Sequence, residues 1–238
     1  MRIRYSFFCD FDGTVSVRDV TDVLLEAYAQ PQWRDVEAMW RAGDIGSQEC
    51  MQRQVALLRC SQKELDALLD AVAIDPGFVD FVMACHEADM PVMIVSDGID
   101  YCIRRILHRA GLDWLPIYAN KLQMLGEERY ALASPHFRSE CLCASGTCKC
   151  TIMNERNTLN ATAVLIGDGA SDCCAAREAA DLVVAKASLL EYCREHHLLH
   201  VPYTDFYDVK RLFFHSQQAL RDALERPADA VAGCVLHG

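Results

Sequence analysis

Apolar residues fall in two rhythms along this chain. Tyr5-Ser6-Phe7-Phe8-Cys9 is a short apolar run that stops at an acidic turn, and it predicts a strand over residues 4–9. A long block from Val17 to Val72 then carries no strand signal. Within it Val20, Val23, Leu24 and Ala27 follow the i, i+3, i+4, i+7 stripe of an amphipathic helix. Further helices are expected at Trp33–Arg41, at Ser47–Leu58, and from Ser61, whose Glu64 three residues on completes a capping box. Asp75-Pro76-Gly77 opens another helix, with Asp75 as N-cap and Pro76 at the first helical position.

From there helix and strand alternate. A helix to about Glu87 leads to a strand at Val92–Val95, a helix at Tyr101–Ala110 and a short strand at Ile117–Ala119. A hairpin-like segment spans Leu122–Leu132, and a loop leads to a helix after Lys149. Ala163–Ile166 reads as a strand, Ser171–Ala180 as a helix and Leu182–Val184 as a strand. Ser188–His196 reads as a helix with a Ser188/Glu191 capping box, and the tail from Pro227 to Gly238 as loosely held. Alternation of this kind implies an α/β fold, a Rossmann-like parallel sheet with helices on both faces. Residues 17–75 are then a helical-bundle insertion in a core built from 1–16 and 76–238.

The chain has 238 residues, enough for one sizeable core. No apolar stretch approaches the ~20 residues that span a bilayer, and Met1-Arg2-Ile3-Arg4 does not open a signal peptide, so a cytoplasmic protein without membrane partners is expected. Thirteen cysteines, an odd number scattered through apparent core segments, read mainly as reduced thiols. A net charge of -11 without a basic stripe argues against nucleic acid. An anionic ligand in such a chain needs a metal, a few cationic side chains or helix N-termini to receive it.

Ligands of open α/β sheets sit beyond the carboxyl ends of the strands. The first strand ends in Asp10-Phe11-Asp12-Gly13-Thr14, the second in Ser96-Asp97-Gly98, and a later one in Gly167-Asp168-Gly169-Ala170-Ser171-Asp172, with Lys149 at the start of a helix between them. Singly, these are ordinary turns, helix caps and solvated charges. Together they form an ordered set at strand ends.

That set resembles the haloacid dehalogenase superfamily of phosphohydrolases, whose motifs run Asp-x-Asp-x-Thr, Ser or Thr, Lys, and Gly-Asp-x-x-x-Asp. The resemblance covers almost the whole chain, and a helical cap between the first two motifs is similar to the phosphoserine phosphatase branch. Asp10-Phe-Asp-Gly-Thr-Val with Asp19 following, Gly46-Ser47-Gln48-Glu49-Cys50 and the cysteine-rich approach to Gly146-Thr147-Cys148-Lys149 are similar to the 2-hydroxy-3-keto-5-methylthiopentenyl-1-phosphate phosphatase group of methionine salvage. Ser96-Asp97 departs from the Ser-Gly-Gly usual there and resembles instead phosphoethanolamine/phosphocholine phosphatases.

The resemblance implies a phosphomonoesterase acting on a small phosphorylated metabolite. Asp10 is then the nucleophile, giving an aspartyl-phosphate, and Asp12 the acid/base. Mg²⁺ would be held by the carboxylates of Asp10 and Asp168 and the backbone carbonyl of Asp12. Gly13, Thr14, Ser96, Asp97 and Gly98 would surround the phosphoryl group, Lys149 would balance its charge, and Asp172 would orient Lys149 or a metal-bound water. Asp19 either contacts substrate or caps the first helix of the insertion. Tyr28, Trp33, Met39 and Trp40 are candidates for an apolar lining.

Cys141, Cys143, Cys148 and Cys150 remain. Four thiolates can hold Zn²⁺, but the spacing is unlike the usual Cys-x2-Cys pairs, and reduced cysteines near the mouth of the site fit the pattern better. A phospho-accepting signalling domain of receiver type would be about half this length and would lack the cap and the second Asp. A zinc or thiol scaffold would not need the Asp pair, and a dehalogenase would need neither Asp12 nor magnesium. Whether the chain is a monomer or a homodimer stays open.

Overall fold

In the computed structural model, which describes residues 4–141, 143–215 and 220, the first apolar run becomes β1 (Tyr5–Cys9), buried along its whole length. Side chains alternate across a strand, so this segment feeds two cores. Phe7 and Cys9 join Ile94, Val164, Ile166 and Val184 in one cluster, while Phe8 joins Met93, Leu165 and Val183 in another on the opposite face. Complete burial of a phenylalanine stabilises by about 2–3 kcal/mol. Phe7 adds edge-on contacts to Phe81 and Phe213, with ring centroids 5.1 and 4.8 Å away.

Seven strands form the sheet in the order β4-β3-β2-β1-β5-β6-β7. Besides β1 they are β2 (Val92–Ile99), β3 (Ile117–Gly126), β4 (Arg129–Ala133), β5 (Thr162–Gly167), β6 (Leu182–Ala185) and β7 (His200–Pro202). All pairings are parallel except the β3–β4 hairpin. On one face pack α5 (Phe78–Glu87), α6 (Asp100–Arg109) and α10 (Phe206–Phe214); on the other lie α7 (Lys149–Arg156), α8 (Cys173–Glu178) and α9 (Ala187–Glu195). This is the doubly covered, mostly parallel α/β sheet that the alternating pattern predicts. Cys9 lies opposite Ile94 on one side and Ile166 on the other. Three informative strand ends are thereby brought side by side.

Between β1 and α5 the chain makes four helices: α1 (Val20–Tyr28), α2 (Trp33–Arg41), α3 (Ser47–Ala56) and α4 (Gln62–Leu69). The capping box expected at Ser61 and Glu64 is formed: Ser61 Oγ accepts from the Glu64 amide and the Glu64 carboxylate accepts from the Ser61 amide. The two crossings to this insertion run side by side, with a bridge between Ser16 and Ile74, Val17 N donating to Ala73 O and Asp75 N donating to Val15 O.

Several expectations change. Asp75 does not cap α5, which starts at Phe78 after Gly77. Its Oδ1 instead accepts from Gly77 N (2.9 Å) and from Phe206 N at the start of α10 (3.1 Å), a long-range tie no local pattern shows. Ser188 forms no capping box: α9 begins at Ala187, and Ser188 Oγ donates to the Asp168 carbonyl (3.2 Å). The helix expected at 171–180 divides into a 3-10 turn, Ala170–Asp172, and α8. The second strand runs four residues further, through Ser96-Asp97-Gly98 to Ile99, with a register irregularity after Val95. Bulges of this kind re-aim side chains next to sites. Strand β7 and helix α10 add to the pattern of alternation, and the tail 227–238 lies outside the described residues.

Replacing Asp75 with Ala strands two backbone amides beside buried groups and is expected to lower the unfolding free energy by about 3 kcal/mol, measured by urea denaturation. Asp75→Asn, which keeps an acceptor oxygen, should recover part of the loss.

Candidate active site

The parallel register carries Asp10 out of β1 beside the Gly167-Asp168 end of β5, and Asp10 N donates to Ile166 O at 2.9 Å. Lys149, the first residue of α7, is 3% exposed. Its Nζ lies 2.9 Å from Asp10 Oδ1, 2.6 Å from Asp172 Oδ1 and 3.1 Å from Ser171 Oγ. Burial alone pulls a lysine pKa down, but Asp10 and Asp172 more than reverse this and hold it above its usual value. Asp172, fully buried, also accepts from the amides of Asp168 and Gly169 through Oδ2, both at 3.2 Å.

Asp10 sits in a different balance. Burial and the neighbouring Asp172 raise its pKa, Lys149 lowers it, Asp168 raises it again, and it ends at about 8. Its Oδ1 takes the Phe11 amide (2.8 Å) as well as Lys149, while Oδ2 has no protein donor among the described residues. Asp12 turns away from that pair, and its Oδ1 accepts from Val20 N (2.8 Å), the first residue of α1. Burial, then Asp19 and Asp10, push its carboxyl well above the usual range. Two carboxylates one residue apart thus differ in partner, one facing an ammonium and the other an amide.

Two glycines make the crowding sterically feasible. Gly13 has φ +73°, and a Cβ there would lie 2.6 Å from Asp168 Oδ2. A Cβ on Gly98 would collide with Asp12 Oδ2. Thr14, expected near the phosphoryl group, donates its hydroxyl to Asp168 Oδ1 (2.6 Å). Ser96 is buried, and its Oγ accepts from Gly98 N (3.0 Å). Asp19 caps α1 by accepting from Asp22 N (2.9 Å). Burial, opposed by that amide, raises its pKa to about 6. The Asp97 carboxylate accepts from three protein groups: Ser47 Oγ at 2.7 Å, Thr147 N at 2.9 Å and Asn120 Nδ2 at 3.1 Å.

A cavity of about 340 Å³ opens between these strand ends and the helical insertion. Asp10, Asp12, Ser96, Asp97, Gly98 and Asp168 line its floor; Asp19, Glu37, Trp40, Arg41, Ser47 and Gln54 line its walls. Of the four apolar candidates only Trp40 lines it. Tyr28 and Trp33 pack against the core, and Met39 Sδ faces Arg53. Glu37 and Arg41 of α2 and Gln54 of α3 carry no sequence signal, because helical periodicity does not mark which polar residues of a helix face a neighbouring element.

Among the described residues one set of three metal-ligating groups has its atoms within 4.8 Å of one another: Asp10, Asp168 and Asp172. An all-oxygen, anionic set suits a hard divalent cation such as Mg²⁺. Asp172 already serves Lys149 and two amides, so Asp10 Oδ2 and Asp168 Oδ2 are the oxygens left for an ion. Cys141, Cys143, Cys148 and Cys150 do not converge in this way. Cys150 Sγ lies 3.3 Å from Cys174 Sγ, a residue outside the expected cluster, and Thr151 Oγ1 donates to Cys148 Sγ (3.2 Å). All twelve described cysteines are free thiols.

The profile of the haloacid dehalogenase-like hydrolases matches residues 7–177. Over 214 residues the chain is 32% identical to the 2-hydroxy-3-keto-5-methylthiopentenyl-1-phosphate phosphatase of Brevibacillus brevis, covering 89% of this chain and 96% of that protein. It is 31% identical to the phosphatase of the same name from Geobacillus thermodenitrificans, covering 88% and 95%. Its fold is similar to a solved phospho-aspartyl intermediate analogue of phosphoserine phosphatase, with a TM-score of 0.66 at 17% identity over 89% of this chain and all of that one.

The raised carboxyls fix the sign of a pH effect. Asp10 holds its proton to about pH 8 in the fold but to only 3.8 in an unfolded chain. Its contribution to stability is therefore full below pH 3.8 and lost as pH rises through about 8. Chelator-treated protein should lose thermal stability between pH 5 and 8 on this account, and Asp10→Asn should flatten that slope. Magnesium ions should restore the midpoint at pH 8 in the wild type and much less in Asp168→Asn, read by differential scanning fluorimetry.

Proposed function

This chain belongs to the haloacid dehalogenase-like hydrolases, and on that footing we propose that it is a Mg²⁺-dependent phosphomonoesterase working through an aspartyl-phosphate on Asp10. The observation that carries this reading is the contact of one buried lysine with both Asp10 and Asp172 beside a separately held Asp12. Phosphoryl transfer needs an in-line nucleophile, a proton for the leaving oxygen and neutralised charge around the phosphorus. Lys149 opposes the burial that raises the Asp10 carboxyl, and a cation held by Asp10 and Asp168 would add the positive charge that leaves Asp10 ionised for attack. Asp12, whose carboxyl burial and then Asp19 and Asp10 push upward, donates a proton to the leaving alkoxide and then, as carboxylate, takes a proton from the water that hydrolyses the acyl phosphate.

Ser96 Oγ and the Gly98 amide lie at the end of β2 where phosphoryl oxygens would rest, and Thr14 fixes the Asp168 carboxylate through its hydroxyl. Asp10 and Asp168 would hold Mg²⁺, with the Asp12 carbonyl as a further ligand, and the ion would supply charge neutralisation for the phosphoryl group. Asp172 holds Lys149 in place from behind. The helical insertion acts as the cap: its α1 start is bonded to Asp12, and its α3 start reaches Asp97.

The substrate we favour is an enol phosphate of the methionine-salvage kind, supported by 32% identity over nearly the full length of a phosphatase named for that compound. A second reading rests on charge at the cavity wall. Asp19, Asp22 and Glu37 outnumber Arg41 there, which favours a cationic leaving group such as ethanolamine or choline. A panel of phosphorylated metabolites assayed for phosphate release with Mg²⁺ separates the two. Asp10→Asn should reduce release by at least about 10⁴-fold, the scale of losing a nucleophile; activity surviving that substitution overturns the mechanism.

A further inference from the structure

Asp97 stands where three segments meet. Ser47 Oγ, on the first residue of α3 in the insertion, donates to its Oδ2 at 2.7 Å. Thr147 N, in the loop that ends at Lys149, donates to Oδ1 at 2.9 Å. Asn120 Nδ2, on β3, donates to Oδ1 at 3.1 Å and to the Asp97 carbonyl at 2.6 Å. Thr147 and Asn120 are fully buried, so their N–H groups have no water to turn to. The same loop also seats the insertion directly: Gln48 N donates to Ala144 O at 3.0 Å, and a Cβ on Gly46 would lie 2.9 Å from Ala144 Cβ.

We propose that Asp97 is a positioning residue that ties closure of the helical insertion to placement of Lys149, through Ser47 on one side and Thr147 on the other. The proposal rests on the phosphatase reading for its kinetic consequences but not for its structural ones. Thr147 is two residues from Lys149, and Lys149 Nζ must meet Asp10 Oδ1 at 2.9 Å, so an anchored Thr147 amide fixes where α7 begins. Of the Asp97 bonds the one to Ser47 crosses to the insertion; for α3 to lift from the cavity it must break together with the Gln48–Ala144 bond, while the bonds to Thr147 and Asn120 persist. One carboxylate therefore senses whether the insertion is seated and holds the lysine that balances charge at the nucleophile.

The two arms separate experimentally. Ser47→Ala removes the crossing bond only and is expected to raise KM about tenfold, the scale of one hydrogen bond to a charged group, with kcat within about twofold. Asp97→Ala removes both acceptor oxygens and should lower kcat about 10- to 100-fold in addition, and Asp97→Asn, whose amide oxygen still accepts from Thr147 N, should recover part of that loss. Backbone amide hydrogen exchange supplies a readout without turnover: Gln48 should exchange faster in Ser47→Ala and Asp97→Ala, Thr147 in Asp97→Ala alone. Unchanged exchange at Thr147 in Asp97→Ala, or equal loss of kcat in Ser47→Ala and Asp97→Ala, overturns the proposal. If Asp97→Ala does not unfold cooperatively, Ser47→Ala decides, and unchanged KM with unchanged Gln48 exchange overturns it. Absence of phosphate release by the wild type on every substrate would count against the phosphatase reading, while the exchange pattern would still decide the coupling.

Discussion

One buried ammonium among several carboxylates is the constraint around which this molecule is arranged. Lys149 touches Asp10 and Asp172, while Asp12 and Asp168 line the same cavity and form no ion pair among the described residues. A charge in such surroundings is tolerable only if it is paired and its remaining hydrogen-bonding capacity is filled. Each requirement is met by a different part of the fold. The β1–β5 register sets Asp10 beside Asp168, the start of α7 delivers the lysine, and the 3-10 turn after β5 folds Asp172 back so that two amides share its second oxygen.

The surplus of negative charge left over explains the rest of the site. Backbone groups take up what they can: Val20 N on Asp12, Phe11 N on Asp10, and the Thr14 hydroxyl on Asp168. What remains unpaired points into the cavity, which is where a cation and a phosphoryl group would share it. Gly13 and Gly98 belong to the same economy of space, since each stands where any side chain would strike a carboxylate oxygen.

The sheet, the order of the elements and the convergence of Asp10, Asp12, Ser96, Lys149 and Asp168 were legible because they depend on local apolar patterns and on the rule that sites form at strand ends. The ties that run between distant segments were not. Asp75 reads as a helix cap from its neighbours, yet its partner Phe206 is 131 positions away. Asp97 reads as a group near the substrate, yet its donors come from Ser47, Asn120 and Thr147. Acidic residues in loops are where pattern reading is weakest, because any nearby amide or hydroxyl can claim them and sequence distance carries no information about which one does. The short β7 and α10 escaped for another reason: three strand residues and one helix after a histidine-rich stretch give little periodicity to count.

The paired crossings at Ser16 and Ile74 have a further consequence. Because the chain leaves the sheet and returns to it through neighbouring, hydrogen-bonded segments, the four helices between them hang from a single narrow neck. Neighbouring strands lie only about 5 Å apart, a gap that a turn of a few residues could close. Lineages can therefore lengthen, shorten or exchange this bundle while the catalytic sheet keeps its register. Selection on what enters the cavity and selection on what happens to phosphorus can act on separate stretches of one gene.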